Sequence, residues 1–199
     1  CAEMRACVGR DAPITIDQEG GRVQRLRAPL WTEWLPPLDF VTKAGPRAKE
    51  AMYLRYRLIA AELHDLGIDC NCAPMVDIAS AETHEFLRNR CYGTDAANVA
   101  QLGRAAAEWR LAGGVIPVLK HIPGHGRATL DSHYELPRVT ASVAELKTHD
   151  FAPFRTLNDL PMGMTAHLVY EALDSVPATL SAKVMQVIRE EIGFDGLIM

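Results

Sequence analysis

The segment from residue 120 to residue 126 opens the part of the chain that is richest in side chains able to do chemistry. It reads Lys-His-Ile-Pro-Gly-His-Gly, and Asp131 and His133 follow shortly after it. Proline and glycine favour a special turn, with Lys120 and His121 at its start. A carboxylate two residues from a histidine can orient the imidazole and raise its basicity, which suits acid/base chemistry near neutral pH. We therefore predict Asp131 and His133 as a catalytic dyad.

Two other interpretations of this segment stay open. The imidazoles of His121, His125 and His133 could bind zinc, although the positive charges of Lys120 and Arg127 would oppose a cation beside them. The histidines could also be unrelated surface residues. The dyad interpretation needs no metal, and we predict no metal and no cofactor.

Two more polar segments resemble parts of a binding site. Asp17 directly follows an apolar run and is followed by paired glycines and by Arg25. Its carboxylate can accept hydrogen bonds from sugar hydroxyls, and a guanidinium donates in a fixed fork; an internal salt bridge beside a tight turn is the alternative. In residues 88–95, we predict that Arg90 reaches the pocket and that Arg88 is solvated.

The elements between these segments alternate between apolar strands and amphipathic helices. The periodicity predicts strands at residues 12–16, 68–73, 115–120, 162–167 and 196–199. It predicts helices at residues 47–66, 96–112, 143–157 and 181–192, the third with a capping box at Ser142 and Glu145 and an interruption at Pro153. Such alternation is typical of a parallel sheet with crossover helices, either doubly wound or closed as a barrel.

The positions of the polar residues favour the barrel. Asp17, Asp77, Lys120 and His167 each lie at or just after the end of a different predicted strand, and barrel enzymes place their active sites at the carboxyl ends of the strands. A doubly wound sheet would use one crevice, and no strand is followed by G-x-G-x-x-G. A complete barrel has eight strands and about 250 residues. We therefore predict an α/β fold, a (β/α)8 barrel of which residues 1–199 form one partial domain with roughly strands 2 to 6.

Composition argues against several functional classes. The net charge is -4, with 25 acidic and 21 basic residues, which does not favour a nucleic-acid partner. No apolar run approaches the roughly 20 residues of a membrane helix. The five cysteines include no C-x-x-C pair, so we predict free thiols in a reducing cytoplasm. Cys70 and Cys72 would pack on the same side of a strand.

The segments at residues 17–25, 89–95 and 120–133 together resemble motifs of the family 3 glycoside hydrolases. The likeness is closest to the bacterial β-N-acetylglucosaminidases, or β-N-acetylhexosaminidases, of peptidoglycan recycling. Pro-Ala-Thr-Leu-Ser at 177–181 and Gly-Phe-Asp-Gly at 193–196 are similar to that family's approach to its sixth strand. The resemblance spans nearly the whole chain. It implies a (β/α)8 barrel and retaining hydrolysis of terminal N-acetyl-β-D-glucosamine from glycans.

The same resemblance implies a role for individual residues. His133 would be the acid/base with Asp131 as its partner, an unusual choice because most glycosidases pair two carboxylates. The loop of the dyad would be mobile and would close during catalysis. The N-acetylglucosamine would be held by Asp17, Arg25, Arg90, Lys120 and His121.

The nucleophile implied by the resemblance is an aspartate on the loop after the Gly-Phe-Asp-Gly run. That position would fall just beyond Met199, and Asp195 belongs to the run itself. Since retaining chemistry needs the covalent partner, we expect no turnover by this segment alone. Three alternatives remain: a family 3 glucosidase, a non-catalytic sugar-binding homologue and a metal-dependent hydrolase.

Overall fold

The computed structural model describes residues 1–108, 113–131 and 135–199. In chain order its strands are β1 (Thr15–Ile16), β2 (Gln18–Gly20), β3 (Val23–Gln24), β4 (Cys70–Asn71), β5 (Ile116–Ile122), β6 (Arg138–Val139), β7 (Met162–Thr165), β8 (Val169–Tyr170) and β9 (Leu197–Ile198). Its α-helices are α1 (Ala2–Val8), α2 (Pro37–Ala44), α3 (Ala48–Asp65), α4 (Glu85–Arg88), α5 (Ala96–Glu108), α6 (Val143–Glu145), α7 (Ala152–Thr156) and α8 (Ala182–Gln186).

The main sheet consists of β1, β4, β5, β7 and β9, which are neighbours in that order. Every pairing in it is parallel, as between Thr15 and Cys70 and between Val118 and Met162. A doubly wound sheet reverses its strand order at a switch point, whereas this order runs one way throughout. The observed arrangement therefore confirms the α/β prediction and corresponds to consecutive strands of a barrel wall.

The helix α3 illustrates how the sequence builds the layer outside the sheet. Met52, Tyr56, Ile59 and Leu63 recur at intervals of three and four residues, and all four are fully buried, as an amphipathic helix requires. Helix α3 packs against α5. The predicted helix at 47–66 is confirmed with its ends shifted by one residue. The predicted helix at 96–112 is α5 through Glu108, and residues 109–112 lie outside the described residues.

The helical region at 143–157 is divided more finely than predicted. Ser142 caps α6, and its capping box with Glu145 is present. A π-helical turn, Leu146–Asp150, follows, and α7 begins beside Pro153. A second π-helical turn, Val187–Glu191, continues α8, so the predicted helix at 181–192 is also divided.

Several small elements were not predicted. Strands β2 and β3 form an antiparallel hairpin directly after β1, and β6 pairs with β8 in parallel. Helices α1 and α2 are also additional to the prediction. The four short strands have only two or three residues each, which is too few for a periodic pattern to be recognised from the sequence.

The structure also describes the burial of the cysteines and the length and polarity of the helices. Cys70, Cys72 and Cys91 are buried, Cys1 and Cys7 are exposed, and all five are free thiols. Within the described part of the chain, no helix combines the length and apolar character needed to span a bilayer.

Candidate active site

The end of β1 and the following hairpin place two carboxylates beside one lysine. Asp17 and Glu19 are two residues apart in extended chain, so they can face the same side. Lys120 lies in β5 and is almost completely buried. Its Nζ is 2.9 Å from Asp17 Oδ1 and 2.6 Å from Glu19 Oε1. The ammonium therefore bridges the two acids at the carboxyl edge of the sheet.

Glu19 is held from its other side by Arg90. The Nε atom of Arg90 donates to Oε2 at 3.0 Å, and Nη2 donates to Oε1 at 2.8 Å, a bidentate pair that fixes the guanidinium plane. Burial raises the pKa of Glu19, but attraction to Lys120 and Arg90 outweighs it and lowers that pKa to about 2. Glu19 is therefore ionised at neutral pH and fixes both cations. It was not predicted as a site residue, although its spacing from Asp17 was a usable signal.

The ring of His121 is held in place by the buried carboxylate of Asp77. Asp77 is fully buried, and its Oδ2 lies 2.7 Å from His121 Nδ1. Burial lowers the pKa of His121, with help from Arg90 and Lys120, and the opposing attraction of Asp77 does not reverse this. The imidazole is therefore neutral at neutral pH. The peptide bond between Lys120 and His121 is cis, and both side chains line the same cavity.

The structure brings together the five residues predicted to bind sugar. A cavity of about 340 Å³ is lined by all of them, namely Asp17, Arg25, Arg90, Lys120 and His121. Arg25 is the most exposed of them, with its Nη2 3.7 Å from Asp17 Oδ2. Phe86, Thr165 and His167 line other parts of this cavity. We call it the sugar cavity after that prediction.

A larger groove of about 880 Å³ adjoins the sugar cavity and shares Phe86 and Arg90 with it. The Phe86 ring lies between two guanidinium groups, with the Cζ of Arg22 4.8 Å and that of Arg90 5.3 Å from its centroid. Asp131 lines this outer groove. The other half of the predicted dyad, His133, lies outside the described residues, so the role of the pair stays a prediction.

The zinc site considered from the sequence, His121, His125 and His133, is not fully placed, because His133 lies outside the described residues. Among the described residues, Asp77, His121 and His125 each bring one ligand atom within 4.8 Å of the others. Both oxygens of Asp77 already accept hydrogen bonds, from the ring of His121 and the backbone N–H of His125. Arg127, expected to oppose a cation here, instead donates to Asp150 at 2.8 Å. Lys120 and Arg90 supply the neighbouring positive charge.

The remaining predictions for residues 88–95 concern structure. Arg88 is exposed, as predicted, and its guanidinium donates to the backbone carbonyls of Ala81 and Thr83. Asp95 accepts a hydrogen bond from the backbone N–H of Asn98 at 2.8 Å and so caps the start of α5.

Comparison with known proteins assigns the chain to a family. Residues 4–199 match the N-terminal domain of glycosyl hydrolase family 3. The chain belongs to this family. The family 3 domain is 36% identical over 212 residues to a protein named beta-hexosaminidase from Bordetella parapertussis. The alignment covers all of this chain and 58% of the relative. The chain therefore spans somewhat over half the length of the curated relatives that it matches.

Solved structures agree with this family 3 assignment. NagZ from Neisseria gonorrhoeae, in complex with N-trifluoroacetyl-D-glucosamine, superposes with a TM-score of 0.90 at 34% identity over 99% of this chain and 60% of that one. The same protein has been solved in complex with zinc ion. A family 3 β-N-acetylglucosaminidase from Paenibacillus has a TM-score of 0.87 at 35% identity, covering 98% of this chain and 38% of that one. The prediction of a partial (β/α)8 barrel is confirmed.

Proposed function

We propose that the protein containing this family 3 domain hydrolyses terminal non-reducing N-acetyl-β-D-glucosamine from glycans. The observation that carries the proposal is the convergence of five predicted binding side chains on one small cavity. A mixture of fixed carboxylates and fixed cations suits a ring with several hydroxyls, because each hydroxyl both donates and accepts. The names of the relatives support the acetamido sugar over plain glucose.

The described residues would act by orientation. Glu19 holds Lys120 and Arg90, and Asp77 holds His121, so donors and acceptors stand in place before the ligand arrives. Such preorganisation favours catalysis because the groups need no rearrangement during the reaction. The outer groove beside Arg90 would receive the rest of the glycan.

The reaction itself would follow a retaining course. An aspartate that the family resemblance places beyond Met199 attacks the anomeric carbon, and protonated His133 transfers its proton to the leaving oxygen. A covalent glycosyl-enzyme forms. Neutral His133 then takes a proton from a water molecule whose oxygen attacks the anomeric carbon, and the bond between that carbon and the aspartate breaks. The sugar is released and the aspartate is regenerated, while Asp131 stabilises the charged imidazole.

We also propose the biological setting. The substrates would be peptidoglycan fragments carrying a terminal N-acetylglucosamine, and the protein would act in the cytoplasm. The support for a reducing compartment is the set of five free thiols. The family resemblance supports the cell-wall substrate.

The test is hydrolysis of nitrophenyl N-acetyl-β-glucosaminide by the full-length protein, beside the matching glucoside. We expect strong activity on the acetamido sugar and a loss of roughly 10² to 10⁴ in kcat for His133→Ala, because general acid/base catalysis has that size. The matched control is His64→Ala, an exposed histidine at the end of α3, which should retain full activity.

Other results would support other functions. Activity on the glucoside alone would indicate a family 3 glucosidase, and sugar binding without turnover would indicate a non-catalytic homologue. A metal-dependent hydrolase is the third alternative, and the observation that favours it is the cluster of Asp77, His121 and His125. Loss of activity on chelation, with recovery on adding zinc, would favour it. We expect chelators to have no effect.

A further inference from the structure

Asp77 is a buried carboxylate that touches two parts of the sugar-cavity wall at once. Its Oδ1 accepts the backbone N–H of His125 at 2.6 Å, and its Oδ2 lies 2.7 Å from Nδ1 of His121. Asp77 itself is completely buried, whereas the His121 ring lines the cavity. Asp77 therefore meets a ligand only through the imidazole.

The pairing has a chemical consequence for His121. A carboxyl group is a stronger acid than an imidazolium, so the hydrogen between Asp77 Oδ2 and His121 Nδ1 belongs to the ring, and the other oxygen, Oδ1, accepts the His125 N–H as part of a carboxylate. An ionised carboxylate only accepts hydrogen bonds. The hydrogen of a neutral His121 ring must then be on Nδ1, which leaves the lone pair of Nε2 as the atom available to a ligand.

We propose that Asp77 is a positioning residue that fixes His121 as a hydrogen-bond acceptor toward the sugar cavity. The neighbouring cations Lys120 and Arg90 can only donate. A neutral acceptor beside these donors selects a ligand hydroxyl that donates to His121 Nε2. The ligand part of this inference rests on the proposed function, whereas the state of the His121 ring does not.

Lys120 explains why this acceptor affects specificity. Two of the three ammonium hydrogens are directed at Asp17 and Glu19, which leaves one for a ligand. A single sugar hydroxyl can accept from Lys120 and donate to His121 in the same pose. A group that only accepts, such as fluorine, would satisfy the lysine and leave the imidazole unmatched.

The first experiment is ¹⁵N NMR of the ring nitrogens of His121 in the full-length protein without ligand, in chelator. We expect the hydrogen on Nδ1 in the wild type. In Asp77→Asn, the side-chain oxygen must still accept the His125 N–H, so the side-chain NH₂ group faces His121 and donates to Nδ1. The hydrogen of the His121 ring should therefore move to Nε2. A wild-type ring with its hydrogen on Nε2 would overturn the proposal, even if the variant failed to fold.

The matched control is Asp150→Asn. Asp150 is also a buried carboxylate, and it holds Arg127 on the segment that follows His125. Its replacement removes a comparable buried charge, so stability should fall while the His121 tautomer stays that of the wild type. A tautomer that changed equally in both variants would show a general effect of lost charge and would contradict a specific role for Asp77.

The second experiment is kinetic and uses N-acetylglucosaminides with single ring hydroxyls replaced by fluorine. The wild type should lose about tenfold or more in kcat/KM at one position. In Asp77→Asn this penalty should shrink at that position alone, because Nε2–H now donates. Equal penalties at every position in both proteins would overturn the specificity role. Absence of any hydrolysis would reject the proposed function but leave the NMR result intact.

Discussion

At the residue scale, the sugar cavity depends on carboxylates that hold the groups expected to touch the ligand. Glu19 contacts Lys120 and Arg90, which are separated from it by 101 and 71 positions in the chain. The convergence of the five proposed binding residues could be expected, because each stands in a recognisable segment. For Glu19 the signal was its spacing from Asp17, and for Asp77 it was its place after a predicted strand. Neither signal shows the supporting role, because the partners of a buried carboxylate are brought near only by the folded sheet.

The replacement Glu19→Gln tests this support. An amide cannot offset two buried cations, so we expect a loss of about 3 to 5 kcal/mol in the free energy of unfolding at neutral pH. Urea unfolding of the full-length protein measures it. The exposed pair partner Glu171 provides the control Glu171→Gln, which should change stability little because surface pairs contribute little.

The pH dependence of stability tests the same residue independently. The pKa of Glu19 is about 2 in the folded chain and 4.5 without the fold, so its contribution is complete above pH 4.5 and is lost as pH falls toward 2. The wild type should therefore lose more stability over that interval than Glu19→Gln. Parallel pH profiles for the two proteins would show that the carboxylate is not held as described.

At the element scale, the long periodic pieces were predictable and the short ones were not. Helix α3 and strand β5 appear close to their expected positions, since each carries a sustained apolar pattern. The hairpin of β2 and β3 carries Glu19 but has too few residues for a pattern. The position of the loop after β5 likewise depends on the close approach of two backbone segments, because a Cβ added to Gly126 would overlap the backbone carbonyl of Ile78.

The replacement Gly126→Ala should therefore displace the loop that carries His125. Overpacking against backbone costs about 1 to 3 kcal/mol, and we expect a matching loss of stability together with lower activity. Gly93→Ala is the control, since a Cβ there meets only side-chain atoms at 3.7 and 3.8 Å. Thermal unfolding and the acetamido-sugar assay measure both variants. Equal behaviour of the two would show that the loop tolerates the methyl group.

At the scale of the whole molecule, the order of the main sheet follows the order of the chain. The alternation of strands and helices was enough to predict this part of the fold, because parallel neighbours joined by helices leave few topologies. The fold also divides the cysteines into a buried group and an exposed group. Cys72 lies near Asp17 and Lys120, which line the sugar cavity, and burial raises the pKa of its thiol to about 12.

Thiol labelling can test that division. In the native full-length protein, Cys1 and Cys7 should react with a thiol reagent at least about a hundredfold faster than Cys70, Cys72 and Cys91, because buried neutral thiols are poor nucleophiles. All five should react in denaturant. Mass spectrometry identifies the sites. Fast labelling of Cys72 without denaturant would mean that the floor of the cavity opens.

The charges around the sugar cavity determine how sugar binding responds to dissolved salt. Three carboxylates, those of Asp17, Glu19 and Asp77, are matched by the three cations Arg25, Arg90 and Lys120, several of them buried. This cluster is an internal salt that is neutral as a whole. An uncharged sugar displaces no counter-ion when it enters, and dissolved salt screens buried pairs only weakly. Ionic strength therefore has little effect on that step.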